Sequence, residues 1–423
     1  MRRRGIVLVF LSSLSVLTFL DRLCIAVAGP RIQRDLALTP ELWGWVLGAF
    51  ALAYGLFEIP SGAAGDRTGP RRALSRIVLW WSCFTALTGA AAGFLSLLAT
   101  QFLFGAGEAG AYPNAAGVIA RWFPPRERAR AQGVVWASSR LGGALAPLLI
   151  VPLLGIVSWR ATFLLLGAVG VVWALFWRAW FHDHPNEQPG ITAAELAEIG
   201  TPHSHAGRHN VLWRSFLAHR QIWLLAAMYW CYVWASWFYF TWFPTYLVRG
   251  AGFTEREMAL VSALPFLLGC CGNLAGGALS DRLTVRFGAK IGRSALGSAS
   301  LATSSALILA LALSSHKRGV ILLSSAGFGV LDLMLPAAGS ACVDISRAYA
   351  GLVSAVMNSS GLFGGFVCTV LFGHLVRRTG SYRAPIALIA VMVLASAILF
   401  LCVDPTKPLP ETEPEASSRS AAA

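Results

Sequence analysis

The sequence predicts an all-α integral membrane protein, with twelve transmembrane helices in two six-helix bundles related by pseudo-two-fold symmetry. Three observations carry this expectation. Of 423 residues, 56% are hydrophobic and only 13% charged, with a mean hydropathy of +0.62, whereas a water-soluble surface needs about a quarter of all residues charged. Apolar stretches of about 20 residues, the length of a bilayer-spanning helix, recur from end to end. A loop motif stands twice, about half a chain apart. Disorder is excluded, because disordered chains are poor in aliphatic and aromatic residues. The net charge of +14 does not imply nucleic acid, since the arginines lie between apolar segments instead of forming a basic groove.

In chain order, a transmembrane window places the first six spans at about 6–28, 42–64, 74–94, 97–120, 131–154 and 160–181. The second six fall at about 220–247, 258–280, 294–314, 319–343, 351–376 and 383–403. The first span follows Arg2-Arg3-Arg4 and is followed by Ala26-Val27-Ala28, a combination that imitates a cleaved signal peptide. Asp21-Arg22 interrupts its apolar run and eleven spans follow, so it is read as a retained helix. The chain thus divides into an N-terminal bundle (1–181), a linker (182–218), a C-terminal bundle (219–403) and a tail (404–423), expected to be disordered. Within the linker, Thr192 and Glu195 stand at capping-box spacing before Leu196 and Ile199, which predicts a short surface helix.

Orientation follows from the excess of Lys and Arg in cytoplasmic loops. With the N-terminus inside, the inside loops hold 22 basic residues and the outside loops 10, so both termini are expected in the cytoplasm. The last outside loop, with Arg377, Arg378 and Arg383, runs against the trend. All eight cysteines fall in apolar spans without a CxxC pair, and read as small hydrophobes. His182, His184, His203, His205 and His209 gather in the linker, but their spacing fits no defensible zinc site, so no metal and no cofactor are expected. No nucleophile elbow, phosphate loop or HExxH motif is present, and the chain is read as a non-enzyme.

The repeated motif is Gly62-Ala-Ala-Gly65-Asp66-Arg67-Thr-Gly69-Pro70-Arg71-Arg72 between spans 2 and 3. Its counterpart is Gly277-Ala-Leu-Ser280-Asp281-Arg282, followed by Arg286, Gly288 and Lys290, between spans 8 and 9. Small residues before each Asp let helices approach closely, and each Asp can accept hydrogen bonds at an adjoining helix N-terminus. Arg67, Arg71 and Arg282 can pair across the cytoplasmic face, making a latch that breaks and reforms. Two copies at matching positions indicate an internal duplication. They resemble the signature loop of the major facilitator superfamily, whose two six-helix bundles rock about a central cavity.

An ionisable side chain at the bilayer centre costs at least about 2.5 kcal/mol, so it is retained where it faces a partner or a water cavity. Asp21, Glu58, Glu108, Asp332, Asp344, Arg22 and Arg140 qualify. Asp21 and Arg22 lie roughly 22 Å along the first helix. Glu108 is two turns from Gln101 on one face of span 4. If that face lines the cavity, Arg22 supplies a fixed cation whose planar fork suits a carboxylate ligand, while Asp21 and Glu108 can take up protons, because a carboxyl removed from water holds its proton more readily. Alternatively, these residues form a structural pair that merely joins two helices.

At these residues a narrower resemblance emerges. The runs Phe19-Leu-Asp21-Arg22, Tyr54-Gly-Leu-Phe-Glu-Ile-Pro60, Phe102-Leu-Phe-Gly105-Ala-Gly107-Glu108-Ala, Arg121-Trp-Phe-Pro124-Pro-Arg-Glu-Arg128 and Thr241-Trp-Phe-Pro244-Thr-Tyr246 resemble the anion:cation symporter family. Bacterial members import sugar acids such as hexuronates, galactonate and glucarate with protons, and animal members move glutamate and sialic acid. The resemblance implies that Asp21 and Glu108 couple protons, that Arg22 and Tyr54 hold substrate, and that Asn358 faces the cavity from span 11. At Gln101 the family usually has a second arginine; Gln101 is expected to hold substrate with Arg22 and Tyr54 through a hydrogen bond to a hydroxyl or carboxylate, but this chain lacks one expected charge. Glu58 replaces a more usual Gln and reads as a gate residue or an interfacial one. Arg140 either supplies the charge that Gln101 lacks or, as the preferred reading, pairs structurally with a neighbour in helices 1–6 or with backbone carbonyls. Asp332 is a second titrating site or an internal hydrogen-bond partner, and Asp344 is structural. Tyr239 and Trp242, at i and i+3 before Pro244, are placed at an outer gate where a sugar could stack.

The resulting expectation is a proton-coupled importer of a small organic anion, working in the lipid bilayer of a bacterial inner membrane, as a monomer and without a nucleic-acid partner. Uniport, antiport and a non-transporting solute sensor are the alternatives.

Overall fold

A computed structural model describes residues 2–199, 213–346, 349–407 and 409. The membrane-crossing elements are α1 (Arg3–Asp35), α2 (Pro40–Thr68), α3 (Pro70–Gly89), α4 (Phe94–Glu108) with α5 (Ala111–Trp122), α6 (Pro125–Ile156) and α7 (Trp159–Trp180). After the linker helices α8 (Ala193–Ile199) and α9 (Trp213–Ala218) come α10 (Arg220–Thr241), α11 (Phe243–Thr245), α12 (Glu255–Phe287), α13 (Leu296–Leu313), α14 (Lys317–Asp332) with α15 (Met334–Ile345), α16 (Ala350–Thr379) and α17 (Arg383–Cys402). Among the described residues, nine helical stretches are long and apolar enough to cross a membrane on their own. Large apolar side chains within the helices, such as Leu175, Leu274, Leu322 and Val391, stay exposed, a surface suited to lipid and not to water.

Helix ends follow the local sequence. Thr39 and Ser158 accept from the Leu42 and Ala161 N–H groups, and Thr254 forms a reciprocal capping box with Glu257, satisfying donors that have no partner inside the helix. Gly69 and Gly288, with φ of 79° and 85°, close the second helix of each half in a conformation a side chain would strain. These matching turns are the duplicated motif in three dimensions.

The pairing of helices obeys the same symmetry. In the first half α1 packs on α6, α2 on α4, and α3 on α7; in the second, α10 packs on α16, α12 on α14, and α13 on α17. Across the halves, α2 lies on α16 and α6 on α12, two contacts that the same pseudo-two-fold axis exchanges.

Two expected spans are broken. Span 4 divides after Glu108 and span 10 after Asp332. Pro113 and Pro336 have no N–H for the carbonyls of Ala109 and Asp332 four residues back, so the helical ladder is interrupted at those points. Span 7 bends at Pro244, through α11 and a wide turn at Tyr246–Gly250.

The linker helix appears where the Thr192–Glu195 spacing put it, with the Glu195 N–H donating to Thr192 Oγ1 at 3.2 Å. The Glu195 carboxylate itself caps α1, accepting from the Arg3 and Arg4 N–H groups at 3.1 and 2.9 Å. Of the tail, Asp404 donates its N–H to Gln221 and Leu409 donates to the Ile345 carbonyl; positions 408 and 410–423 lie outside the described residues.

Three arginines tie the halves together at the face away from the N-terminus. There Arg31 meets Glu255 at 2.6 Å, Arg249 donates to Gln33 at 2.9 Å, and Arg377 pairs with Glu41.

Candidate functional site

Charge is buried at the centre of the first half. Arg22 on α1 donates both Nε, at 3.1 Å, and Nη2 to one oxygen of Glu108 at the end of α4. Glu108 is fully buried and its other oxygen, Oε2, has no partner among the described residues. The rings of Phe50, Tyr54 and Phe19 lie 5.0, 5.1 and 5.2 Å from the guanidinium carbon, close enough for each π face to attract the cation. An arginine so placed keeps its charge and presents donors that its carboxylate does not saturate.

Asp21 is buried with neither carboxylate oxygen hydrogen-bonded among the described residues, and the equally unpartnered indole N–H of Trp81 lies nearby. Tyr54 is buried against Arg22. Gln101, expected beside them, is turned instead toward α3, where its amide donates to Thr88 Oγ1 at 3.1 Å. The structure therefore brings Asp21, Arg22, Tyr54 and Glu108 together and engages Gln101 elsewhere.

A second buried pair crosses between the halves. Arg140 Nε on α6 stands 2.9 Å from Asp332 Oδ2 at the end of α14. The expectation of a partner within helices 1–6 is corrected: α6 lies beside the second half, so the nearest buried acid belongs to it. Asp332 also accepts from Tyr232 at 3.2 Å. The Arg140 contact is close in distance but off-line for a hydrogen bond, and Oδ2 remains without one. Nearer the N-terminal face, Asn358 on α16 donates to both oxygens of Glu58 on α2, at 2.7 and 2.8 Å. Asn358 thus faces the inter-half seam, held by a carboxylate.

Tyr239 and Trp242 are fully buried, and their polar groups donate to the backbone carbonyls of Ser324 and Thr369 in their own half. In this conformation they are packing residues, because an i, i+3 pair of aromatics can serve core and gate alike. At the motif loops, Asp281 pairs with Arg293 at 2.9 Å, and Arg293 also reaches Asp344 at 3.4 Å; no contact of Arg282 enters this arrangement. In the first half Arg71 donates to the Arg178 carbonyl, and its N–H meets Asp183, while Arg67 is exposed. The side chain of Asp66 and the linker histidines His203, His205 and His209 lie outside the described residues. Among the described residues no cluster of His, Cys, Asp or Glu could hold a metal ion.

Two concavities lie away from this centre. One of about 480 Å³ is an apolar groove between α2, α10 and α16, including Ile59, Trp230 and Val356. The other, about 720 Å³, opens at the far face near Arg31, Arg34 and Glu255. Neither contains Arg22.

The family model described as Major Facilitator Superfamily matches residues 11–367. A probable sulfoacetate transporter, SauU, of Cupriavidus necator is 34% identical over 408 residues, covering 96% of this chain and 94% of that protein. The hexuronate transporter of Bacillus subtilis is 29% identical, covering 93% and 94%, and the D-galactonate transporter of an Escherichia coli strain is 28% identical, covering 96% and 97%. Among solved structures, a bacterial homolog of the human lysosomal transporter Spinster, inward-facing and occupied, superposes with a TM-score of 0.77 at 22% identity, over 95% of this chain and 96% of that one.

Proposed function

The chain belongs to the major facilitator superfamily, a family of transport proteins and not enzymes, and from that premise we propose that it carries a small organic acid anion inward together with protons. The observation that carries this is Arg22, a mostly buried guanidinium ringed by three aromatic faces and tied to a single oxygen of Glu108. Relatives named for sulfoacetate, hexuronate and galactonate support a carboxylated or sulfonated substrate. Protonation of Glu108 would release Arg22 to hold the anion, with Tyr54 beside it, and Asp21 would be the second proton carrier.

Alternating access requires two bodies that rock about this centre; residues 1–181 and 219–403 would be those bodies, joined by 182–218. With the termini assigned to the cytoplasm of a bacterial inner membrane, the far-face pairs of Arg31, Arg249 and Arg377 close the outside. The arrangement then corresponds to an inward-facing monomer, and the loops at Asp66 and Asp281 would latch when the inside closes. Uniport or antiport is the second reading, favoured by Gln101, which adds no charge and is turned to Thr88.

Thermal-shift screening of the purified protein against sulfoacetate, glucuronate, galactonate and glucarate, followed by uptake into proteoliposomes at several pH values, tests the reading. One of these anions should raise the melting temperature and accumulate faster with acid outside. If none binds and none accumulates, the proposal fails. Accumulation indifferent to the proton gradient would select uniport.

A further inference from the structure

The centre holds a second cation whose donors are largely unspoken for. Arg140 donates no hydrogen bond identified among the described residues. Its one ionic contact there, to Asp332, is off-line, and its side chain remains 12% exposed while Asp332 is fully buried. Arg22 is similarly incomplete, since Nε and Nη2 crowd one oxygen and leave Nη1 without a partner among the described residues. A charge kept in the membrane interior is expected to satisfy its donors or to await a ligand.

The two guanidiniums are linked across the halves by adjoining aromatic rings. Phe19 lies 5.2 Å from Arg22 and 5.7 Å from Phe240, and Phe240 lies 5.8 Å from Arg140. On the neighbouring side, Tyr112 accepts from Ser15, two turns before Arg22 on α1, and stacks at 4.7 Å on Trp136, one turn before Arg140 on α6. Gly142 keeps those helices in contact, since a Cβ there would stand 2.8 Å from the Val16 carbonyl oxygen.

Resting on the reading of Arg22 as the anion anchor, we propose that Arg140 is a second anchor, that Asp332 is the internal carboxylate occupying it, and that the preferred substrate carries two acid groups, one for each arginine. The second acid group of the ligand takes the place of Asp332 at Arg140. Because Arg140 belongs to one half and Asp332 to the other, this exchange also unties α6 from α14. Substrate binding and the loosening of the halves are then one event. Arginine suits both acid groups, since its fork matches carboxylate and sulfonate oxygens alike.

Binding to the purified full-length protein separates the possibilities, with malonate and galactarate as short and long diacids and 3-hydroxypropanoate and galactonate as their monoacid counterparts. Arg140→Gln should weaken the better diacid about tenfold more than its monoacid counterpart, the loss of one charge-assisted contact. Arg140→Lys should restore part of the difference. Asp332→Asn should instead tighten the diacid, because the competing carboxylate is gone. Equal losses for diacid and monoacid in Arg140→Gln, or weaker diacid binding in Asp332→Asn, would show the pair to be a structural tie and overturn the proposal. Arg22→Gln keeps the two readings apart: if it still binds all four acids, the anchor assignment itself is wrong.

Discussion

Glu108 and Asp332 are related by the internal symmetry of the molecule. Each is the last residue of the first segment of a broken fourth helix, each break is set by a downstream proline, and each carboxylate faces an arginine. The partners differ in origin. Glu108 meets Arg22 from its own half, whereas Asp332 meets Arg140 from the opposite one. Opening the first pair therefore leaves the contacts between the halves intact, whereas opening the second removes one of them.

If Glu108 and Asp21 carry the protons, Glu108→Gln and Asp21→Asn should each abolish substrate-driven alkalinisation in proteoliposomes. The amide that Glu108→Gln introduces could still accept from Arg22 through its oxygen. That variant should therefore keep substrate binding within about threefold while losing coupling, a neutral hydrogen bond being roughly half as strong as the charged one. Normal coupling in both variants would remove the proton assignment.

The capping of α1 by the linker gives a prediction independent of transport. Arg2 provides no side-chain cap, and Glu195 takes that role for the Arg3 and Arg4 N–H groups. Glu195→Ala should cost about 1 kcal/mol, the usual scale of a lost N-cap. Hydrogen exchange at residues 3–6 should accelerate measurably while exchange in the α1 interior stays unchanged.

Glycine spacing near Glu108 predicts a contrast between two substitutions. A Cβ at Gly105 would collide with the Phe50 carbonyl oxygen, whereas nothing lies within 4 Å of one at Gly117. Gly105→Ala should force α4 away from α2, lower the melting temperature by several degrees and weaken substrate binding by displacing Glu108; overpacking of this kind costs about 1–3 kcal/mol. Gly117→Ala should be neutral or stabilising, by up to about 1 kcal/mol, since alanine favours a helix.

The buried charges were legible in the sequence because each interrupts an apolar run. Arg22 and Glu108 could be placed at compatible depths by counting turns, and the structure joins them. Arg140 and Asp332 were equally visible as residues but not as a pair, since a contact between helices of different halves leaves no local spacing to read. The breaks after Glu108 and Asp332 were signalled by Pro113 and Pro336, yet a transmembrane window averages over a single proline. For Tyr239 and Trp242 the type and spacing of the residues do not decide between a gate and a core. Only the packing of α14 and α16 against them does, through the carbonyls of Ser324 and Thr369.

Glu58 and Asn358 join α2 to α16 along the seam between the halves, and the pair can be inverted chemically. Asn358→Asp sets a second carboxylate against Glu58, where the amide now donates at 2.7 and 2.8 Å. Like charges in a partly buried seam repel, so this variant should melt several degrees lower and take up substrate slowly. Glu58→Gln alone keeps a side chain that can accept from Asn358 and should be milder. Combining the two restores an amide that donates and a carboxylate that accepts, with their helices exchanged. The double variant should regain most of the lost stability, giving a coupling energy of about 1–2 kcal/mol in a double-mutant cycle. Simple additivity of the two losses would mean that the seam is held by the apolar packing of α2 on α16, and that the Glu58–Asn358 bond is incidental to it.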